Sequence, residues 1–165
     1  MGSLAPSWCA PAEPKLEYEV KAAFLLNFTK FVEWPAAAFE KPDSPLTVCI
    51  LGDDPFGRTL DQLVEGERVN GRKLAVERIR RHPRPKSCQV LFVARSEKEV
   101  PAILSEIGPG VLTVGDREGF LREGGIIAFV IEGRHVRFDI NQRAASGASL
   151  TISSRLLNVA RSVQK

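Results

Sequence analysis

The sequence predicts an α/β sandwich: a mixed, mostly parallel sheet with a C-terminal antiparallel hairpin, flanked by helices. Three observations predict it. Between residues 46 and 114, short apolar runs alternate with segments of helical spacing, the pattern of repeated β–α units. Two arms, Ile126–Ile131 and His135–Ile140, flank Glu132-Gly-Arg134, which is a hairpin signature. The 165 residues are 44% hydrophobic and 26% charged, enough for one domain to bury a core without a metal.

The elements follow in order. Residues 1–14 read as a disordered tail. Met1–Ser3 looks like a vector-derived scar, and the Pro-rich remainder is compatible with the remnant of a secretory signal. Cys9 in this tail reads as a stray thiol. Residues 15–165 form the single folded domain. Lys15–Trp34 carries Val20, Phe24, Phe28, Phe31 and Val32 at helical spacing, and Pro35 ends the helix. Leu46–Leu51 is the first strand. Gly52–Gly57 is a turn in which Asp54 is placed to cap a helix with Pro55 at its first position, running to about Glu65. Lys73–Ile79 is the second strand, and Arg80–Lys86 a basic loop broken by two prolines. Cys88–Val93 is the third strand, Glu97–Ile107 a helix, and Gly110–Val114 a short fourth strand. The first hairpin arm is apolar throughout, as a buried central strand requires. The second alternates, with Val136, Phe138 and Ile140 on one face and His135, Arg137 and Asp139 on the other. A helical stretch at Gln142–Ser146 and a helix over Ser153–Val163 close the chain.

The residues that could carry chemistry do not assemble into a catalytic set. Gly52–Gly57 lacks the glycine and lysine pattern of a phosphate loop, and Asp53 and Asp54 would repel phosphate. It reads as a structural strand-to-helix turn. His135 and Asp139 share a strand face, but no serine or cysteine nucleophile can be set against them. No cysteine and histidine set completes a metal site, and no cofactor is implied. A net charge of +3 without a basic stripe interleaved with aromatics argues against nucleic acid. Asn27 and Lys30 are polar positions on one face of the first helix. They read either as a solvated stripe or as part of a small anionic-ligand site with Arg137 as a second cation. The Arg80–Lys86 loop reads as solvated, with an acidic partner or lipid head groups as the alternative. Cys49 and Cys88 both lie in strand-like runs. As neighbours in one sheet their Cα atoms would be about 5 Å apart, within disulfide range. A bridge and two buried free thiols both remain open on spacing alone.

Several motifs together resemble the YfiR-like family of periplasmic proteins. They are Lys21–Pro35, Val48–Gly57, Asn70-Gly-Arg72, Cys88–Val93, Leu112–Asp116, Gly119-Phe120, Gly124-Gly-Ile126, Val136–Asn141 and Leu150–Leu157. The similarity runs from about Lys15 to the C-terminus. It implies export, and with it a Cys49–Cys88 disulfide in an oxidising compartment. It implies an α/β sandwich that often forms homodimers. It also implies a non-enzymatic regulator that inhibits a membrane-bound diguanylate cyclase, or another sensor protein, through its periplasmic domain. An outer-membrane lipoprotein that sequesters the inhibitor would release the cyclase. Some relatives carry a second cysteine pair, but no cysteine follows Cys88 here. Asn27, Lys30, Arg137, Asn141 and Arg155 lie in the shared motifs and are the residues expected to form a ligand or partner site. The alternative is a periplasmic small-molecule sensor or carrier.

Overall fold

The computed structural model describes residues 14–165. Of the tail expected over residues 1–14, residues 1–13 with Cys9 lie outside the described residues, whereas Pro14 is helical. Pro14 opens helix α1 (Pro14–Phe31), which is followed by strands β1 (Val32–Glu33) and β2 (Leu46–Leu51) and helix α2 (Arg58–Val64). Next come β3 (Arg68–Val69), β4 (Arg72–Ile79), β5 (Val90–Val93), α3 (Val100–Ser105) and β6 (Leu112–Gly115). The chain ends with β7 (Ile127–Glu132), β8 (His135–Asn141), α4 (Gln142–Gly147), β9 (Thr151–Ile152), α5 (Ser154–Val159) and β10 (Ser162–Gln164).

The main sheet has eight strands in the order β10-β8-β7-β6-β5-β2-β4-β3. From β7 to β4 every pairing is parallel, while β8 runs antiparallel to β7 and β3 antiparallel to β4. The expected mixed, mostly parallel sheet with its hairpin is therefore present. After β2 the chain moves outward to β4, then returns to β5 on the other side of β2. That reversal puts the topological switch point at the carboxyl ends of β2 and β5, the place where ligands bind in doubly wound sheets.

The central strands are buried on both faces, which explains their unbroken apolar runs. One face carries Val48, Ile50, Val90, Phe92, Val114, Ile127 and Phe129. It packs under α1, α2, α4 and α5 through Leu25, Phe28, Leu60, Val64, Ala145 and Leu156. Phe28 stacks on Phe129 at 5.8 Å and meets Phe138 edge-on at 5.1 Å. The other face carries Cys49, Leu51, Leu91 and Val93 under Val100, Ile103 and Leu104 of α3, with Phe120.

Several boundaries differ from expectation. α1 stops at Phe31 because Val32 and Glu33 pair with Ile152 and Thr151. α2 starts at Arg58 because the Asp54 carboxylate accepts from the Phe56 N–H, closing a tight turn instead of capping a helix. α3 starts at Val100 because Glu99 adopts a left-handed backbone, φ 56°. The C-terminal helix ends at Val159, and residues 162–164 instead add a parallel edge strand to β8. Cys88 precedes β5 and is not part of it: the chain bends at Gln89. The bend turns Cys88 onto the same face as Cys49, and the two form a disulfide with Cα atoms 5.8 Å apart.

Gln89 holds that bend together. Its Oε1 accepts from the Thr47 N–H at 2.7 Å, and its Nε2 donates to the Ala38 and Lys86 carbonyls. Its own carbonyl accepts from the Trp34 indole at 2.9 Å. A buried backbone donor that a regular ladder would leave orphaned at the bend is thereby satisfied.

Candidate functional site: a salt-bridged cleft at the carboxyl edge of the sheet

A cleft of about 1150 Å³ lies at the carboxyl ends of β5, β6 and β7. Its walls are the segments 95–99 after β5, 116–122 after β6, and 128–131 of β7, with Lys21 of α1 at its base. The switch point between β2 and β5 is itself closed. Gly52 sits at φ 98°, where an added Cβ would stand 2.9 Å from the Ser96 and Glu97 side chains. Arg78 forks onto Asp54 and Asp61 and onto the Gly57 carbonyl, and Arg80 pairs with Asp53 at 3.0 Å. The Asp61 carboxyl is held below its usual range chiefly by that Arg78 hydrogen bond. The turn is structural, as its sequence suggested.

The chemistry of the cleft centres on Lys21 and Asp116, each with a side chain only 1% exposed. Lys21 continues the buried stripe of Leu25, Phe28 and Val32 at helical spacing. Asp116 follows β6 directly, so the end of that strand delivers its carboxylate to the helix. Lys21 Nζ donates to Asp116 Oδ2 at 2.9 Å and to the Glu17 carboxylate one turn earlier. The Tyr18 hydroxyl donates to the same Asp116 oxygen at 2.6 Å. Arg95 Nε stands 3.3 Å from Asp116 Oδ1, an ion-pair contact without hydrogen-bond geometry. Lys21 Nζ also lies 4.4 Å from the Tyr18 ring centroid. Burial, then the bond to Asp116, pushes the Tyr18 hydroxyl well above its usual pKa. Burial works against the Arg95 charge, but the Asp116 carboxylate outweighs it and raises that pKa.

Two cations and two carboxylates thus neutralise one another. An ammonium locked between two carboxylates and closed to solvent is poorly placed to act as a nucleophile or proton shuttle. The cluster ties α1 to the end of β6 and leaves Arg95, 58% exposed, at the surface.

The expected site residues have separate surroundings. Asn27 and Lys30 are exposed on α1, and Lys30 lies 3.8 Å from Glu67. Arg137 pairs with Glu132 across the hairpin at 3.2 Å. Asn141 caps α4 by accepting from the Ala144 N–H at 3.0 Å. Arg155 is exposed on α5. None of the five lines the cleft. His135 and Asp139 do not form a dyad, because four residues along a strand place them about 13 Å apart. Asp139 is instead gripped by Arg161 through two bonds of 2.9 and 2.7 Å. Among the described residues, no three His, Cys, Asp or Glu side chains stand together as a metal site. Lys21 and Asp116 were missed as a pair although each had a signal: a lysine within an apolar stripe, and an aspartate at a strand's carboxyl end.

The sequence pattern of a family described as YfiR/HmsC-like (DUF4154) matches residues 18–161. Among solved structures, the fold is similar to a crystal structure of a conserved domain protein from Vibrio cholerae O1 biovar eltor str. N16961. The TM-score is 0.53 at 11% identity, over 89% of this chain and 60% of that one. The chain therefore spans about 60% of that neighbour's length, and the likeness speaks to fold alone. No curated protein matches.

Proposed function

This chain belongs to the YfiR/HmsC-like family, and on that footing we propose that it is an exported, non-enzymatic regulator working in the periplasm. It binds the periplasmic domain of a membrane diguanylate cyclase and holds the cyclase inactive, which lowers cyclic-di-GMP. The observation that carries this reading is the Cys49–Cys88 disulfide in a chain of this family, since such bridges persist in oxidising compartments. No helix among the described residues is long and apolar enough to cross a membrane, which fits a regulator that reaches a membrane partner from outside. The neutralised Lys21–Asp116 cluster fits binding without chemistry. The mechanism is mass action: preferential affinity for one state of the partner shifts its equilibrium. Asn27, Lys30 and Arg155 face outward and belong to the contact surface of this proposal, whereas Asn141 and Arg137 act locally. An outer-membrane lipoprotein that sequesters the regulator, and a homodimer, complete the scheme.

The test is titration of the purified chain against the sensor domain of a co-encoded cyclase, with cyclase output read in membranes. A saturable complex and falling output are expected, and the absence of a complex overturns the reading. A small-molecule sensor or carrier is the second reading, favoured by the open cleft beside Arg95. A ligand of that cleft would raise the melting point with concentration.

A further inference from the structure

Asp116 carries one acceptor that the fold leaves empty. Its Oδ2 accepts from Lys21 Nζ at 2.9 Å and from the Tyr18 hydroxyl at 2.6 Å. Its Oδ1 is buried and has no hydrogen-bond partner among the described residues. A buried carboxylate oxygen without a donor is costly, and native folds pair such atoms with protein, water or ligand.

Arg95 is the matching half. Its Nε stands 3.3 Å from that oxygen without hydrogen-bond geometry, and its guanidinium donates no hydrogen bond among the described residues. Five N–H groups in a fork that fits a carboxylate are thus unused. The side chain is 58% exposed and lines the same cleft as Asp116. With no hydrogen bond to lose, it moves off Oδ1 at little cost.

An empty acceptor and an unused fork therefore lie side by side. A ligand that serves both presents a donor and an anionic acceptor on adjacent atoms, the spacing that spans two protein atoms 3.3 Å apart. The charge of the donor is decided by its neighbours. Lys21 and Arg95 already press two positive charges on Asp116, and a third cation beside them would be repelled at close range. A neutral hydroxyl meets no such penalty. The rim does not select by net field, since Lys98, Arg117 and Arg122 stand against Glu97, Glu99 and Glu118. Selection rests on the two directed groups, and Ala128, Val130 and Leu121 give the rest of the molecule an apolar wall.

We infer, resting on the sensor or carrier reading of this cleft, that it takes an α-hydroxy carboxylate. The hydroxyl donates to Asp116 Oδ1, and the carboxylate accepts from the Arg95 fork.

The experiment is calorimetric titration of the full chain with three molecules that differ only at the carbon beside the carboxylate. They are phenyllactate, with a hydroxyl there, 3-phenylpropionate, with hydrogen, and phenylalanine, with an ammonium. Phenyllactate should bind, and the other two should bind about 10- to 100-fold more weakly, the worth of one hydrogen bond to a charged group. Arg95→Gln should weaken phenyllactate by a similar factor. Arg143→Gln, exposed on α4 and outside the cleft, should not, and melting curves verify that both variants fold. Phenylpropionate binding as tightly as phenyllactate overturns the part given to Asp116. Phenylalanine binding as tightly overturns the neutral donor. Either result leaves the sensor reading standing. Undiminished phenyllactate binding in Arg95→Gln places the ligand elsewhere and overturns the site. If none of the three binds, the proposal fails and water is left to satisfy Asp116 Oδ1. The sensor reading fails with it only when a wider set of small metabolites also leaves the melting point unmoved.

Discussion

Replacing Lys21 by Met removes an ammonium while keeping the volume of the side-chain stem, so the cost isolates the charge. Asp116, with its side chain 1% exposed, cannot turn to water. Glu17 can, because its side chain is 18% exposed. Breaking a buried ion pair by removing one member costs about 3–5 kcal/mol, because the other charge stays buried and unpaired. Asp116 retains the Tyr18 hydroxyl at 2.6 Å and Arg95 at 3.3 Å, which places the loss at the lower end, about 3 kcal/mol. For a domain of this size each kcal/mol moves the melting point by about 2–4 °C, so a fall of about 6–12 °C is expected by calorimetry. The double variant Lys21→Met/Asp116→Leu removes both charges and leaves Arg95 free to extend into solvent. It should recover most of the loss, since apolar replacement of a buried pair is often neutral. A Lys21→Met protein melting within about 2 °C of native would refute this reasoning. Strict additivity of the two single changes would do the same, because contacting residues must couple.

Other perturbations probe the rest of the frame. The Cys49→Ala/Cys88→Ala variant opens a loop with a sequence separation of 39 and should lose about 4 kcal/mol in the chain-entropy view. Urea titration measures that loss, and mass spectrometry of the non-reduced native chain should show two hydrogens fewer than the reduced form. Gln89→Leu strands the buried Thr47 N–H and should cost about 2–3 kcal/mol by denaturant midpoint. The Asp139 carboxyl is depressed below its ordinary pKa: burial opposes this, but the Arg161 hydrogen bonds outweigh it. A depressed carboxyl contributes stability above its unfolded pKa, about 3.9, and loses it as pH falls through the lower folded value. Arg161→Gln should therefore melt below native at neutral pH, and the gap should close as pH drops below about 4. A gap that is constant with pH would rule out that ion pair as its source.

Elements whose identity depends on local pattern were legible in the sequence. β2 matches its apolar run residue for residue, and the hairpin lies within one residue of its expected arms. Both follow from side-chain alternation and turn chemistry, which a short window contains. β10 was not legible, because a three-residue edge strand takes its identity from β8 and not from its own residues. The helix starts at Arg58 and Val100 were misjudged because single backbone angles, at Gly57 and Glu99, delay them. The candidate site was largely hidden. The outward residues of the shared motifs were visible, but no sequence window shows which of them meet.

The sequence by itself determined an α/β chain with a buried parallel core, a closing hairpin, two cysteines in or beside apolar strand-like runs and a basic, proline-broken connection. Only the tertiary structure decided that Lys21 and Asp116, 95 residues apart, would face each other. Their meeting depends on the sheet order and on the seating of α1, and pairings across such a separation leave no periodicity along the chain. The same holds for Cys88, whose direction is set by a bend that Gln89 stabilises through contacts with Ala38 and Thr47, 51 and 42 residues away. Local sequence encodes which surfaces must be buried, and the packing of those surfaces selects which polar groups are buried with them and must find partners there.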